Sequence, residues 1–174
     1  MTQQSLRVLV AVHGYEPDGW AADTGRAVSR WGEPVVRVLD VLDVRCPPLT
    51  SPGPYARTLY RAAMAAATRE AEGRTRAAVD ALAAMLPRIT EVVRVPHGRG
   101  PLGWTIAEHA NDWGADVVVV GAPAGRSGSW RWPGPVPRQV IERARCAVLV
   151  TVPPAPPSKR LFVVPRVAAA GRRA

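Results

Sequence analysis

The amino-acid sequence predicts one α/β domain with a parallel sheet and helices on both faces, and three observations carry that reading. Short apolar, mostly β-branched runs recur at Leu6–Val12, Val35–Leu42, Ile89–Val95, Val117–Val120 and Ala147–Val152. A helical pattern fills each gap between them, so the order is β-α-β-α-β-α-β-α-β. The 174 residues suffice for one domain with a filled core.

Each element has its own warrant. Leu6–Val12 (LRVLVAV) reads as a buried strand. Asp18–Trp31 reads as a helix, with Ala22, Val28 and Trp31 as its apolar positions. After the second strand, Cys46–Pro54 holds four prolines and a glycine, which marks a loop. Ala56–Leu86 is an Ala-rich helix; Leu59, Ala63, Ala66, Val79, Leu82 and Leu86 mark its apolar stripe, and Gly73 is a place where it can bend or split. The third strand, Ile89–Val95, is interrupted by Glu91 and Arg94. Pro101 suits a first helical position. Leu102, Ile106, His109 and Trp113 then share one helix face, and Gly114 supplies the stop. Val117–Val120 is the fourth strand; a glycine loop with Gly121, Gly125, Gly128 and Gly134 leads to a short helix and the fifth strand.

Crossovers in such a sheet are right-handed. Ligands bind at the carboxyl ends of the strands, where the strand order reverses. This puts His13–Tyr15, Val41–Asp43 and Gly121–Gly134 on one rim. A strand ending in glycines and opening onto a helix is also how parallel folds build phosphate sites.

Composition narrows the classes. No apolar run approaches the ~18 residues of a membrane span, so no membrane partner is expected. The start of the chain has no basic segment with a cleavage site, which points to the cytoplasm. Cys46 and Cys146 form no CxxC pair, and His13, His97 and His109 lack metal-ligand spacing, so neither disulfide nor metal is expected. Of the net charge of +9, five units come from Lys159, Arg160, Arg166, Arg172 and Arg173. Residues 153–174, opening with PPAPP, read as a flexible Pro/Arg-rich tail behind a domain spanning 1–152. With Phe162 as its one aromatic, the tail lacks the interleaved rings of a nucleic-acid binder, and no nucleic-acid partner is expected.

Four segments together resemble the universal stress protein family: Arg7–Pro17 (RVLVAVHGYEP), Val35–Val44 (VVRVLDVLDV), Val95–Gly121 (VPHGRGPLGWTIAEHANDWGADVVVVG), and the glycine loop through Arg143–Val150 (RARCAVLV). The resemblance implies a Rossmann-like (HUP-type) domain with strand order 3-2-1-4-5. It also implies frequent homodimers and a split between members that bind ATP and members that do not. It places the nucleotide contacts on Ala11, His13, Val41, Gly121, Gly125, Arg126, Gly128 and Gly134.

The chain departs from the family's G-x2-G-x9-G-(S/T) loop. It reads Gly121-x3-Gly125-x8-Gly134-Pro135, with the outer spacing kept and the middle glycine shifted by one. Pro135 replaces a phosphate-binding hydroxyl, and Pro137 follows. Neither carries an N–H, so the phosphate cradle loses donors, although both prolines suit the start of a helix. His13-Gly14-Tyr15 stands where ATP-binding members have an Asp turn. His13 is thus either a ligand contact or a polar rim residue. Val41 matches a position whose backbone meets adenine. The implied cofactor is ATP or another adenine nucleotide, at a remodelled and weakened site; the alternative is a ligand-free dimeric interaction scaffold.

No nucleophile elbow and no paired carboxylates stand out, so no enzymatic activity is expected. Trp130 and Trp132 flank Arg131 and serve either as a stacking lid or, the preferred reading, in packing. His109 packs partly on the sheet, and His97 lies in a loop. The fifth strand is apolar and belongs at a sheet edge, which invites a partner. A homodimer through that edge is expected; the tail covering the edge is the other possibility.

Overall fold

The computed structural model describes residues 5–14, 16–17, 19–44, 53–86, 88–96, 100–122 and 134–151. The alternation of side chains along β1 (Arg7–Val12) divides the core in two. Val8, Val10 and Val12 face one side, Leu9 and Ala11 the other, all fully buried. In β2 (Val35–Leu42), Val36 and Val38 oppose Leu39 and Val41, and in β4 (Val117–Gly121), Val119 opposes Val118 and Val120. The first side is covered by α1 (Trp20–Ser29) and α2 (Pro54–Met85), through Trp20, Val28 and Leu82. The second is covered by α3 (Leu102–Trp113) and α4 (Pro135–Arg143), through Ile106, Ala110 and Val140.

With β3 (Ile89–Pro96) and β5 (Ala147–Thr151) the sheet runs β3-β2-β1-β4-β5, every pair parallel. This is the 3-2-1-4-5 order, with two helices on each face. The chain leaves β1 toward β2 on one side and reaches β4 on the other, so the order reverses between β1 and β4.

Close helix contacts rest on two glycines. A Cβ at Gly25 would come 2.5 Å from the Cβ of Met85, and one at Gly103 would come 2.5 Å from the Cβ of Gln139. These contacts bring α1 against α2 and α3 against α4. The Trp113 ring has two guanidinium groups against it, Arg7 and Arg37, each 4.6 Å from its centroid.

Two helices differ from the sequence reading. In α1, Trp20, Ala21, Thr24, Gly25 and Val28 are buried, whereas Trp31 lies beyond the helix and is exposed. In α2, Leu59, Ala63 and Ala66 are exposed. The half-buried positions in that half are Ala56, Tyr60, Met64 and Ala67, continuing into buried Ala71, Thr75 and Leu82. The stripe is rotated because an Ala-rich surface offers little contrast between faces. The helix runs unbroken through Gly73, which is exposed.

Candidate functional site

The reversal of strand order puts the ends of β1 and β4 side by side, the place where ligands of such folds bind. β1 ends at Val12, and His13 follows, 6% exposed. Gly14 then takes the left-handed region at φ 79°, and a Cβ there would come 2.9 Å from the Cβ of Arg74 on α2. Glycine is therefore required twice, for the torsion and for the space.

That turn aims two successive backbone N–H groups at one side chain. His13 N donates to Glu16 Oε1 at 2.6 Å, and Gly14 N donates to Glu16 Oε2 at 2.9 Å. The Glu16 side chain is only 3% exposed, and Oε1 lies 3.5 Å from His13 Nδ1. A carboxylate that accepts two main-chain donors in a low-dielectric setting makes strong, charge-assisted bonds.

Gly121 closes the opposite wall. A Cβ on it would come 2.8 Å from Trp20 Nε1 and 3.2 Å from Glu16 Cγ. Trp20 in turn donates through Nε1 to Thr151 Oγ1. Thr24 Oγ1 lies 3.4 Å from the same oxygen, and Thr151 Oγ1 lies 3.3 Å from the Val120 carbonyl. The ends of β4 and β5 and the start of α1 are thus tied together by polar contacts under the rim.

Val41 follows Asp40, the partner of Val12 in the β1–β2 ladder. Its side chain is buried beneath α3 and α4, as is that of Ala11. Asp40 is fully buried and accepts from Arg94 Nε on β3 at 2.7 Å, with Glu72 of α2 4.0 Å from the same guanidinium. The bond to Asp40 raises the Arg94 pKa above its ordinary value. Arg74 is committed to Glu70 at 2.8 Å and to the Asp43 carbonyl at 3.3 Å.

Gly134 precedes α4, with Pro135 in the first turn. Four N–H groups ordinarily stand free at a helix start. Here Pro135 and Pro137 have none. The helix still packs firmly, since the Gly103 N–H donates to Gln139 Oε1 at 2.9 Å.

The structure therefore brings Ala11, His13 and Gly121 to the β1–β4 junction, Val41 to the neighbouring end of β2, and Gly134 to the start of α4. Gly125, Arg126, Gly128, Trp130, Arg131, Trp132, Tyr15, Cys46, His97 and residues 153–174 lie outside the described residues. His109 is half-buried on α3, as the helix pattern suggests. Sequence reasoning missed Glu16, Trp20 and Thr151. The signal for Glu16 was a carboxylate two residues past a glycine at a strand end, where a turn's free N–H groups need an acceptor.

A doubly wound α/β domain with glycines at its β1–β4 switch point is the class these features define. The chain belongs to the universal stress protein family, whose family model matches residues 6–152. Its fold is similar to that of the universal stress protein UspA from Lactobacillus plantarum, at 20% identity and TM-score 0.59, covering 86% of this chain and 99% of that one. It is also similar to a universal stress family protein from Burkholderia pseudomallei, at 20% identity and TM-score 0.52, covering 87% and 98%. A third similar structure is an Arabidopsis thaliana family protein with AMP bound, at 17% identity and TM-score 0.53, covering 86% and 93%. Comparison with curated protein sequences finds no match. Among the described residues no helix is long and apolar enough to cross a membrane.

Proposed function

We propose that this chain is a non-enzymatic regulatory module of the stress response that binds an adenine nucleotide in the β1–β4 crevice, through a remodelled and weakened site. Ala11, His13, the Val41 backbone, Gly121 and Gly134 surround the ligand in this reading, and Gly125, Arg126 and Gly128 contribute from the loop. The observation that carries it is the reversal of strand order between β1 and β4, with Gly14 and Gly121 keeping the strand ends free of side chains there. Membership of the family and the AMP bound to the Arabidopsis protein support an adenine ligand. Pro135 and Pro137 support weakened binding of the phosphate chain.

The module acts in the cytoplasm as a homodimer through the β5 edge. Ala147 is exposed and Val148–Thr151 are half-buried there, an apolar strand that a second copy would cover. Light scattering of the purified protein tests the dimer.

Thermal unfolding with and without ATP, ADP and AMP, each with Mg²⁺, tests the ligand. A nucleotide at ~100 times its Kd stabilises the fold by about 2.7 kcal/mol. No shift at millimolar nucleotide rejects the nucleotide reading and favours the ligand-free scaffold.

A further inference from the structure

We propose that Leu161–Val164 (LFVV), in the tail that follows β5, pairs as an added strand with the free edge of β5 and competes there with the second copy of the chain. The inference rests on the reading of the β5 edge above and concerns what regulates its pairing. Among the described residues β5 pairs with β4 alone, so one row of its backbone N–H and C=O groups has no strand beside it. The strand is apolar toward both layers. Leu149 packs on the side of α1 and α2, and Val148 and Val150 pack on the side of α3 and α4. Val148–Thr151 are only half-buried. An occupant of this edge must therefore bring apolar side chains on both of its own faces.

Leu161–Val164 lies outside the described residues, and its sequence meets that demand. Leu161 and Val163 fall on one face of a strand, Phe162 and Val164 on the other. It is the one run of strand-forming residues in the tail. Nine residues, Val152–Arg160, separate it from the end of β5. Fully extended, they reach about 30 Å. β5, with five residues, is about 17 Å long, so the tether lets the segment meet any part of the edge. A segment on so short a tether faces the edge at a roughly millimolar effective concentration, whereas a second copy arrives at micromolar concentration. The flanks favour a single addition. Lys159 and Arg160 precede the run, and Pro165 and Arg166 follow it, so the new edge carries charges and a missing N–H that discourage a further strand. The tail thereby sets the chain concentration at which the β5 dimer forms.

Two measurements on the full chain test this, with the natural protein beside Phe162→Asp/Val163→Asp. They are sedimentation velocity across the micromolar range, and hydrogen–deuterium exchange of β5 at concentrations where the chain is monomeric. In the natural monomer the edge amides of β5 are protected. In the variant they exchange at least about tenfold faster, and the dimer forms with a Kd at least about tenfold lower. Equal exchange of β5 in the two monomers overturns the proposal, as does an equal dimer Kd. Natural protein that shows no monomer at any concentration overturns it too. Absence of a dimer in both proteins rejects the dimer reading instead, and the exchange of β5 then decides alone whether the segment sits on the edge. If the double variant fails to fold, Val163→Pro, which removes an N–H without adding charge, supplies the same two readings.

Discussion

Replacing Gly103 with alanine tests how tightly the rim is built. Gly103 lies in the first turn of α3, against α4. A Cβ there would stand 2.5 Å from the Cβ of Gln139, 2.5 Å from the Val136 carbonyl oxygen and 3.0 Å from the Val140 nitrogen. Carbon atoms pack comfortably at about 3.5–4.0 Å, so α3 and α4 must separate by roughly 1 Å. Overpacking of this kind costs about 1–3 kcal/mol. The intrinsic gain from glycine to alanine in a helix offsets at most ~1 kcal/mol. The expected net loss is about 1–2 kcal/mol. Gly73 provides the control: it is helical and exposed, with nothing within 4 Å of its Cβ position. Gly73→Ala is expected to stabilise by about 0.5–1 kcal/mol. Equilibrium urea unfolding reads both as opposite shifts of the midpoint at constant slope. A Gly103→Ala protein whose midpoint rises alongside that of Gly73→Ala would refute the close crossing of α3 and α4.

Three other outcomes are expected. Arg94→Ala leaves the fully buried Asp40 carboxylate without its 2.7 Å partner; because Arg94 itself is 43% exposed, the loss is about 1–3 kcal/mol, and Arg94→Ala with Asp40→Asn recovers part of it in urea melts. Trp20→Phe keeps the ring against Gly121 but removes the donor to Thr151, lowering stability by about 1 kcal/mol in the same assay. Burial pushes the Cys146 thiol pKa above its ordinary value, so its thiolate fraction at pH 8 is below that of a free cysteine. In a Cys46→Ser background its alkylation by iodoacetamide is therefore slower than that of glutathione at pH 8, and continues to accelerate at pH values where glutathione has levelled off.

The strands were legible because continuous β-branched runs buried on two faces have few other ways to fold. Val35–Leu42 matches residue for residue, and the other four strands agree within one residue at each end. The strand order followed from the family resemblance, since alternation alone fixes parallel pairing without fixing neighbours. The α2 stripe was misread because alanines on every side of Leu59 and Met64 conceal which face meets the sheet. The rim was legible only in part. Glycines and prolines announce backbone geometry, so Gly14, Gly121 and Pro135 drew notice. Glu16, Trp20 and Thr151 are held by contacts that periodicity does not encode. Trp20 and Thr151 meet across 131 positions.

The two outer strands of the sheet differ in what they permit. β3 carries Glu91 paired with Arg37 and Arg94 paired with Asp40, ends in Pro96, and joins β2 with a register shift between Val36 and Arg37. Charges, a missing N–H and an irregular ladder are what discourage a further strand from adding to an edge. β5 (AVLVT) has no such guard. Head-to-tail growth, β5 of one copy onto β3 of the next, is therefore disfavoured at every junction. In the proposed homodimer, edge-to-edge contact falls to β5 against β5, a two-fold arrangement that would use up its own surface and stop at two copies. One guarded edge would be enough to keep such pairing finite and to keep an apolar strand from seeding a filament.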